Sequence, residues 1–105
     1  MKQIKVKQHY NKNQFIIYEY DKNGVSKVYF QSYQSLVATY DKKTHKLVLS
    51  KNWNYSNTTR KHLYLFIYDY VYIEQLRNIE EQKNKAKYIQ KLIDNKIIKY
   101  DPLME

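Results

Sequence analysis

The chain has no cysteine, one glycine and one proline. Without cysteine there are no disulfides, thiolate metal sites or cysteine nucleophile, so the fold holds without covalent staples, as suits a reducing cytoplasm. So little glycine and proline leaves no linker-like stretch. With 43% apolar and 28% charged residues in 105, this composition predicts one domain, residues 1–105, around a single core. Long apolar runs are also missing. The most apolar stretch, Leu63 to Ile73, is interrupted by Asp69 and is far short of the ~20 residues a membrane helix needs. The N-terminus MKQIKVKQHY alternates charge with apolarity where a signal peptide would carry an apolar core. No membrane partner is expected, and the expected location is cytoplasmic.

Catalytic signatures are absent too. There is no glycine-rich phosphate loop, no G-x-S-x-G and no H-E-x-x-H. The three histidines, His9, His45 and His62, fall in a strand, a loop and a helix, so neither a metal nor a cofactor is predicted. Ser56 and His62 sit on different faces of one helix start, which leaves them poorly placed as a nucleophile and base. The adjacent carboxylates Glu80 and Glu81 diverge around a helix and read as a solvated face. The expectation is a non-enzymatic protein.

What is present is a change of period. Ile4 and Val6 alternate with Lys5 and Lys7, and Phe15-Ile16-Ile17-Tyr18-Glu19-Tyr20 is aromatic and β-branched, so both stretches read as strands. Asn23-Gly24 supplies residues tolerant of positive φ and predicts a hairpin into a third strand at Val25 to Phe30. Leu36 to Tyr40 and Lys46 to Leu49 flank the polar DKKTH and predict a second hairpin with a longer loop. From Leu63 the apolar residues recur at three and four, with Phe66, Ile67 and Tyr70 on one face, predicting a helix at about 57–72. A second stripe, Leu76, Ile79, Ala86, Ile89, Leu92, Ile93 and Ile97, with Glu81 and Lys85 at i,i+4, predicts another at about 74–95. Asp101-Pro102 reads as the end of the ordered region. The fold class is therefore α+β: an antiparallel sheet of four to five strands over residues 3–50, followed by two C-terminal helices.

Lysine and arginine number 19 against 10 acids, a net charge of +9, which favours polyanionic partners. Thirteen tyrosines are the other excess. Tyr18, Tyr20, Tyr29, Tyr33 and Tyr40 are placed on strands, and Tyr64, Tyr68 and Tyr72 follow one another along one side of the first helix. With only three phenylalanines and one tryptophan, the tyrosines are expected to fill the core. The stretch WNYSNTTRKHLYLF, Trp53 to Phe66, holds a conflict. Ser56 or Asn57 can cap the helix and Thr58 and Thr59 can add hydroxyls beside free amides, yet Arg60, Lys61 and His62 put cations at its positive end. An external phosphate or carboxylate would resolve this, with Trp53 or Tyr55 as a stacking surface. The candidate partner- or phosphate-binding residues are Tyr55, Ser56, Thr58, Thr59, Arg60, Lys61 and His62, together with Lys5 and Lys7. Trp53 and Leu63 are read as structural, fixing the chain's entry into the helix.

The linked patterns F-x-S-Y-x-S-x-V-A at Phe30 to Ala38 and W-x-Y-S-x-T-T-x-K-H-L-x-x-F at Trp53 to Phe66 resemble a small domain of unknown function found in short proteins of Firmicute phages and mobile elements. The resemblance covers about forty residues, implies no established activity and supplies a biological setting. Within that setting the expected function is binding of a host defence nuclease or ribonucleoprotein, as an anti-CRISPR-like inhibitor. The alternatives are a regulator that contacts nucleic acid directly through its basic surfaces and a virion structural or assembly protein.

Overall fold

A computed structural model of the chain describes residues 3–78 and 84–104. Five antiparallel strands form a meander in sequence order: β1 (Gln3–His9), β2 (Asn11–Asp21), β3 (Gly24–Ser32), β4 (Ser35–Asp41) and β5 (Lys46–Leu49). The β2–β3 hairpin closes at the expected Asn23-Gly24, with Gly24 at φ 111°, a region closed to most side chains. The β1–β2 turn has no glycine, and Tyr10 takes φ 63° there instead, a conformation that costs ~1–3 kcal/mol in a residue with a Cβ. Tyr33 lies at the β3–β4 turn, at φ 56°, and not on a strand as its spacing suggests.

Two helices follow. A 3-10 turn at Lys51–Asn54 leads into α1 (Asn57–Tyr70), and α1 leaves through a second 3-10 turn at Glu74–Asn78 before α2 (Lys85–Asp94). The order agrees with the sequence reading, but α2 starts at its own cap, well after residue 74. Ile79 and the pair Glu80 and Glu81, the latter expected to reach Lys85, lie outside the described residues. The chain also continues past its expected end. β6 (Lys99–Tyr100) pairs parallel to β5, Asp101 N donates to Leu49 O (2.9 Å), and Leu103 N donates to Asp101 Oδ1 (3.0 Å). Proline at 102 terminates the strand, and the order extends beyond it.

The period of two gives the sheet one buried face. Ile16, Val28, Phe30, Ala38, Tyr40, Leu47 and Leu49 meet Leu63, Phe66 and Ile67 of α1 and Ile89 and Leu92 of α2, with Trp53 and Ile98 closing the edges. Phe30 stacks on Phe66 with ring centroids 5.8 Å apart. At about 1.5–3 kcal/mol per fully buried large apolar side chain, this one cluster dominates the stability. Tyr40 belongs to it, as expected, but Tyr68 and Tyr72 are 79% and 59% exposed. Leu63, Phe66 and Ile67 define the buried face of α1 and rotate Tyr68 off it, while Tyr72 lies past the end of the helix at Tyr70, where helical spacing no longer applies.

The outer face of the sheet carries an in-register row, Val6, Ile17, Tyr29, Thr39 and Val48, running from β1 to β5. The C-terminal tail reaches this row at Thr39, whose Oγ1 donates to Met104 Sδ (3.7 Å). Among the described residues no helix is long and apolar enough to cross a membrane.

A candidate anion-binding groove at two helix starts

The start of α1 is built from its own sequence. Ser56 is extended and caps the helix, its Oγ accepting from Thr59 N (3.1 Å) and donating to Thr59 Oγ1 (3.1 Å). Thr59 Oγ1 shares a further hydrogen bond with Ser32 Oγ (3.0 Å), and both residues are buried, so the cap is tied into β3. The cap takes only one of the free amides. Those of Asn57 and Thr58 have no carbonyl within the helix to meet.

The cations there separate. Arg60 is held by neutral acceptors. Its Nη1 donates to Asn54 Oδ1 (2.9 Å) and Asn54 O (3.4 Å), and its Nη2 donates to Asn57 Oδ1. The guanidinium is thus positioned but not neutralised. Lys61 is exposed. His62 points inward, 4% exposed and 5.8 Å from the ring of His9, and burial pushes its pKa below the usual value, with Lys61 adding to the effect. It is a core residue and not a surface ligand.

α2 repeats the pattern. Asn84 caps it through Oδ1, which accepts from Lys87 N (3.2 Å), and the first turn carries Lys85 and Lys87 with no acid. Neither first turn contains an acidic residue. Packing of α1 on α2, through the edge-on contact of Tyr64 with Tyr88 at 5.7 Å, brings the two starts together. They form one groove of about 770 Å³ lined by Asn57, Arg60, Lys61, Asn84, Lys85 and Ala86. Lys85 Nζ sits 3.6 Å from the centroid of the Tyr64 ring, a cation–π contact that fixes its position over the groove wall. Among the described residues, two helix N-termini and the cations Arg60, Lys61 and Lys85 surround one depression, a combination that favours phosphate or carboxylate.

The other expected residues are distributed more widely. Tyr55, Ser56, Thr58 and Thr59 line a neighbouring open cleft of about 950 Å³ between α1 and the β3–β4 turn, together with Tyr33, Gln34 and Asn13, and none of the described residues that line it is charged. Tyr55 is 77% exposed there, whereas Trp53 and Leu63 are buried in the core. Lys5 and Lys7 stand on the edge strand β1 opposite Tyr18 and Ile16, apart from both depressions. The sequence reading missed Asn84 and Lys85. An Asn followed by Lys-Ala-Lys and an apolar stripe is a helix-start signal, hidden by reading one long helix from residue 74.

His9 and His62 meet as a buried polar pair, and Gln14 is buried as well. Both ring nitrogens of His9, both amide atoms of Gln14 and Nδ1 of His62 have no hydrogen-bond partner among the described residues. Burial, reinforced by His62, lowers the His9 pKa to about 4 against the opposing pull of Asp69, whose Oδ2 lies 3.8 Å from His9 Nε2 and accepts from Tyr10 OH (2.6 Å). Among the described residues no group of three or more His, Asp or Glu is placed to hold a metal.

The fold and groove together define a small basic α+β domain in which two helix starts, neither with an acid in its first turn, face one depression. Residues 4–95 match the model of a family of unknown function, DUF8033, and the chain belongs to that family. The match includes β1, β2 and α2, well beyond the stretch from Phe30 to Phe66 that carries the resemblance noted in the sequence. No curated protein and no solved structure matches the chain.

Proposed function

We propose that the chain is a non-enzymatic binding protein that grips an anionic surface of a host nucleoprotein or nuclease, as a phage or mobile-element inhibitor of a defence system of the anti-CRISPR kind. It would act in the cytoplasm of the bacterial host. The observation that carries this reading is the groove shared by the starts of α1 and α2, where Arg60, Lys61 and Lys85 stand with no acid in either first turn. A phosphate docked there gains charge-assisted hydrogen bonds and two helix dipoles at once. The phage setting is supported by the motifs at Phe30 to Ala38 and Trp53 to Phe66. At +9 the chain is unsuited to mimicking DNA, so its target presents negative charge: a guide RNA, a DNA-bound complex or an acidic protein face.

The test is affinity capture from host lysate with and without nuclease treatment. A defined nuclease or ribonucleoprotein retained after treatment, and inhibited by the purified chain, is the expected result. Loss of every partner on nuclease treatment overturns the inhibitor reading in favour of a regulator that binds nucleic acid directly, whose affinity would fall with salt in proportion to the phosphates contacted.

A further inference from the structure

β1 contributes almost nothing to the core of this chain. It forms one edge of the sheet, and six of its seven residues are exposed, the exception being His9 at its end. Ile4 and Val6, 63% and 60% exposed, face outward opposite Glu19 and Ile17 of β2. Lys5 and Lys7 alternate with them on the helix side, and neither meets a carboxylate among the described residues. Ordering a strand costs ~1–2 kcal/mol per residue, and here little buried apolar surface offsets that cost. The free side of the strand still presents backbone N–H and C=O groups to solvent.

We propose that β1 is a docking edge that takes an extended segment of a partner protein, with apolar and acidic residues in alternation, as an added strand. The lysines decide the occupant. A second copy of the chain paired through β1 would set lysines against lysines, and like charges across a strand pair are destabilising. A segment with Glu or Asp at those positions turns the repulsion into attraction. Because side chains alternate between faces, its intervening apolar residues then fall beside Ile4 and Val6. Main-chain hydrogen bonds along the edge supply affinity, and the alternation supplies register and specificity. This inference rests on β1 alone and does not depend on what fills the groove at the helix starts.

The test titrates the isotopically labelled full chain with a capped peptide of alternating glutamate and valine, matched to β1 in length, and with a lysine–valine control. Amide shifts and slowed amide exchange are expected to be confined to Gln3–His9, with the acidic peptide bound about fivefold more tightly than the basic one. The charge-swapped variant Lys5→Glu with Lys7→Glu, whose positions are exposed, should invert that preference. Ile4→Thr with Val6→Thr should weaken the acidic peptide without changing the melting temperature. Shifts centred elsewhere, equal binding of both peptides, an unchanged order in the charge-swapped chain, or sedimentation showing the chain pairing with itself through β1 would each overturn the proposal.

Discussion

The phenol of Tyr40 clasps the main chain of Tyr72, donating to its carbonyl (3.0 Å) while accepting from its amide (3.1 Å). His45 Nδ1 meets the same hydroxyl at 2.8 Å. One buried side chain on β4 therefore fixes the direction in which the chain leaves α1. Tyr40→Phe keeps the ring's packing and removes the hydroxyl, leaving a backbone donor and acceptor without this partner. The expected cost is about 1–2 kcal/mol in chemical denaturation. An unchanged denaturation midpoint would show that water replaces the clasp without loss.

Burial of His9 is expected to make the fold acid-sensitive. Its folded pKa, about 4, lies below the unfolded value of 6.5, so well above pH 6.5 the ring is neutral in both states and has no effect on stability. As pH falls from 6.5 to 4, the unfolded chain binds a proton that the folded chain refuses, and stability drops, levelling below pH 4 at a loss of about 3 kcal/mol. His62 on α1 and Lys7 on β1 act in the same direction, while Asp69 on α1 opposes them. His9→Phe should remove most of the slope over that window. It should also hold or raise stability at neutral pH, since the two unpartnered ring nitrogens of His9 are no longer buried. Urea midpoints measured across the pH range check both parts, and a persistent slope would move the sensitivity to His62.

Ser56→Ala separates the cap from the cations. The mutation deletes the acceptor for Thr59 N and loosens Thr59 from Ser32, so a loss of about 1 kcal/mol is expected. Binding at the groove should survive, because Arg60, Lys61 and Lys85 are untouched. A large loss of affinity in a variant that melts only slightly earlier would place the working surface in the neutral cleft beside Tyr55.

Local features were legible in the sequence and tertiary ones were not. The Asn23-Gly24 hairpin, the strand alternation and the α1 cap each depend on neighbours within a few residues, and all three lie where the pattern puts them. β6 was invisible because two residues pair in parallel across the whole helical layer, with no periodicity to announce them. The β1–β2 turn was unmarked because Tyr10 occupies a position where a glycine would have signalled it. Alternation shows that Ile4 and Val6 share a face but not whether anything covers it. The conflict at Arg60 and Lys61 was legible, yet its meaning needed Lys85, which only the packing of α1 on α2 brings to the same groove.

That conflict yields the sharpest prediction, because the structure gives the two cations different roles. Lys61 is exposed at the positive end of α1, so Lys61→Gln should leave stability unchanged or raise it by ~0.3–1 kcal/mol. Arg60 also braces Asn54 and Asn57, so Arg60→Gln loses hydrogen bonds as it relieves repulsion, and its effect on stability should be close to zero. For binding the two should agree. Each change, and Lys85→Gln with them, should weaken the hold on an anionic partner, and against duplex DNA the salt dependence should flatten by roughly one unit of slope per lost phosphate contact. Titration of each single variant against the captured partner, alongside thermal melts, tests this directly. If Lys61→Gln melted earlier yet bound normally, its ammonium would be serving the fold, and the shared groove would no longer account for the cations at the helix start.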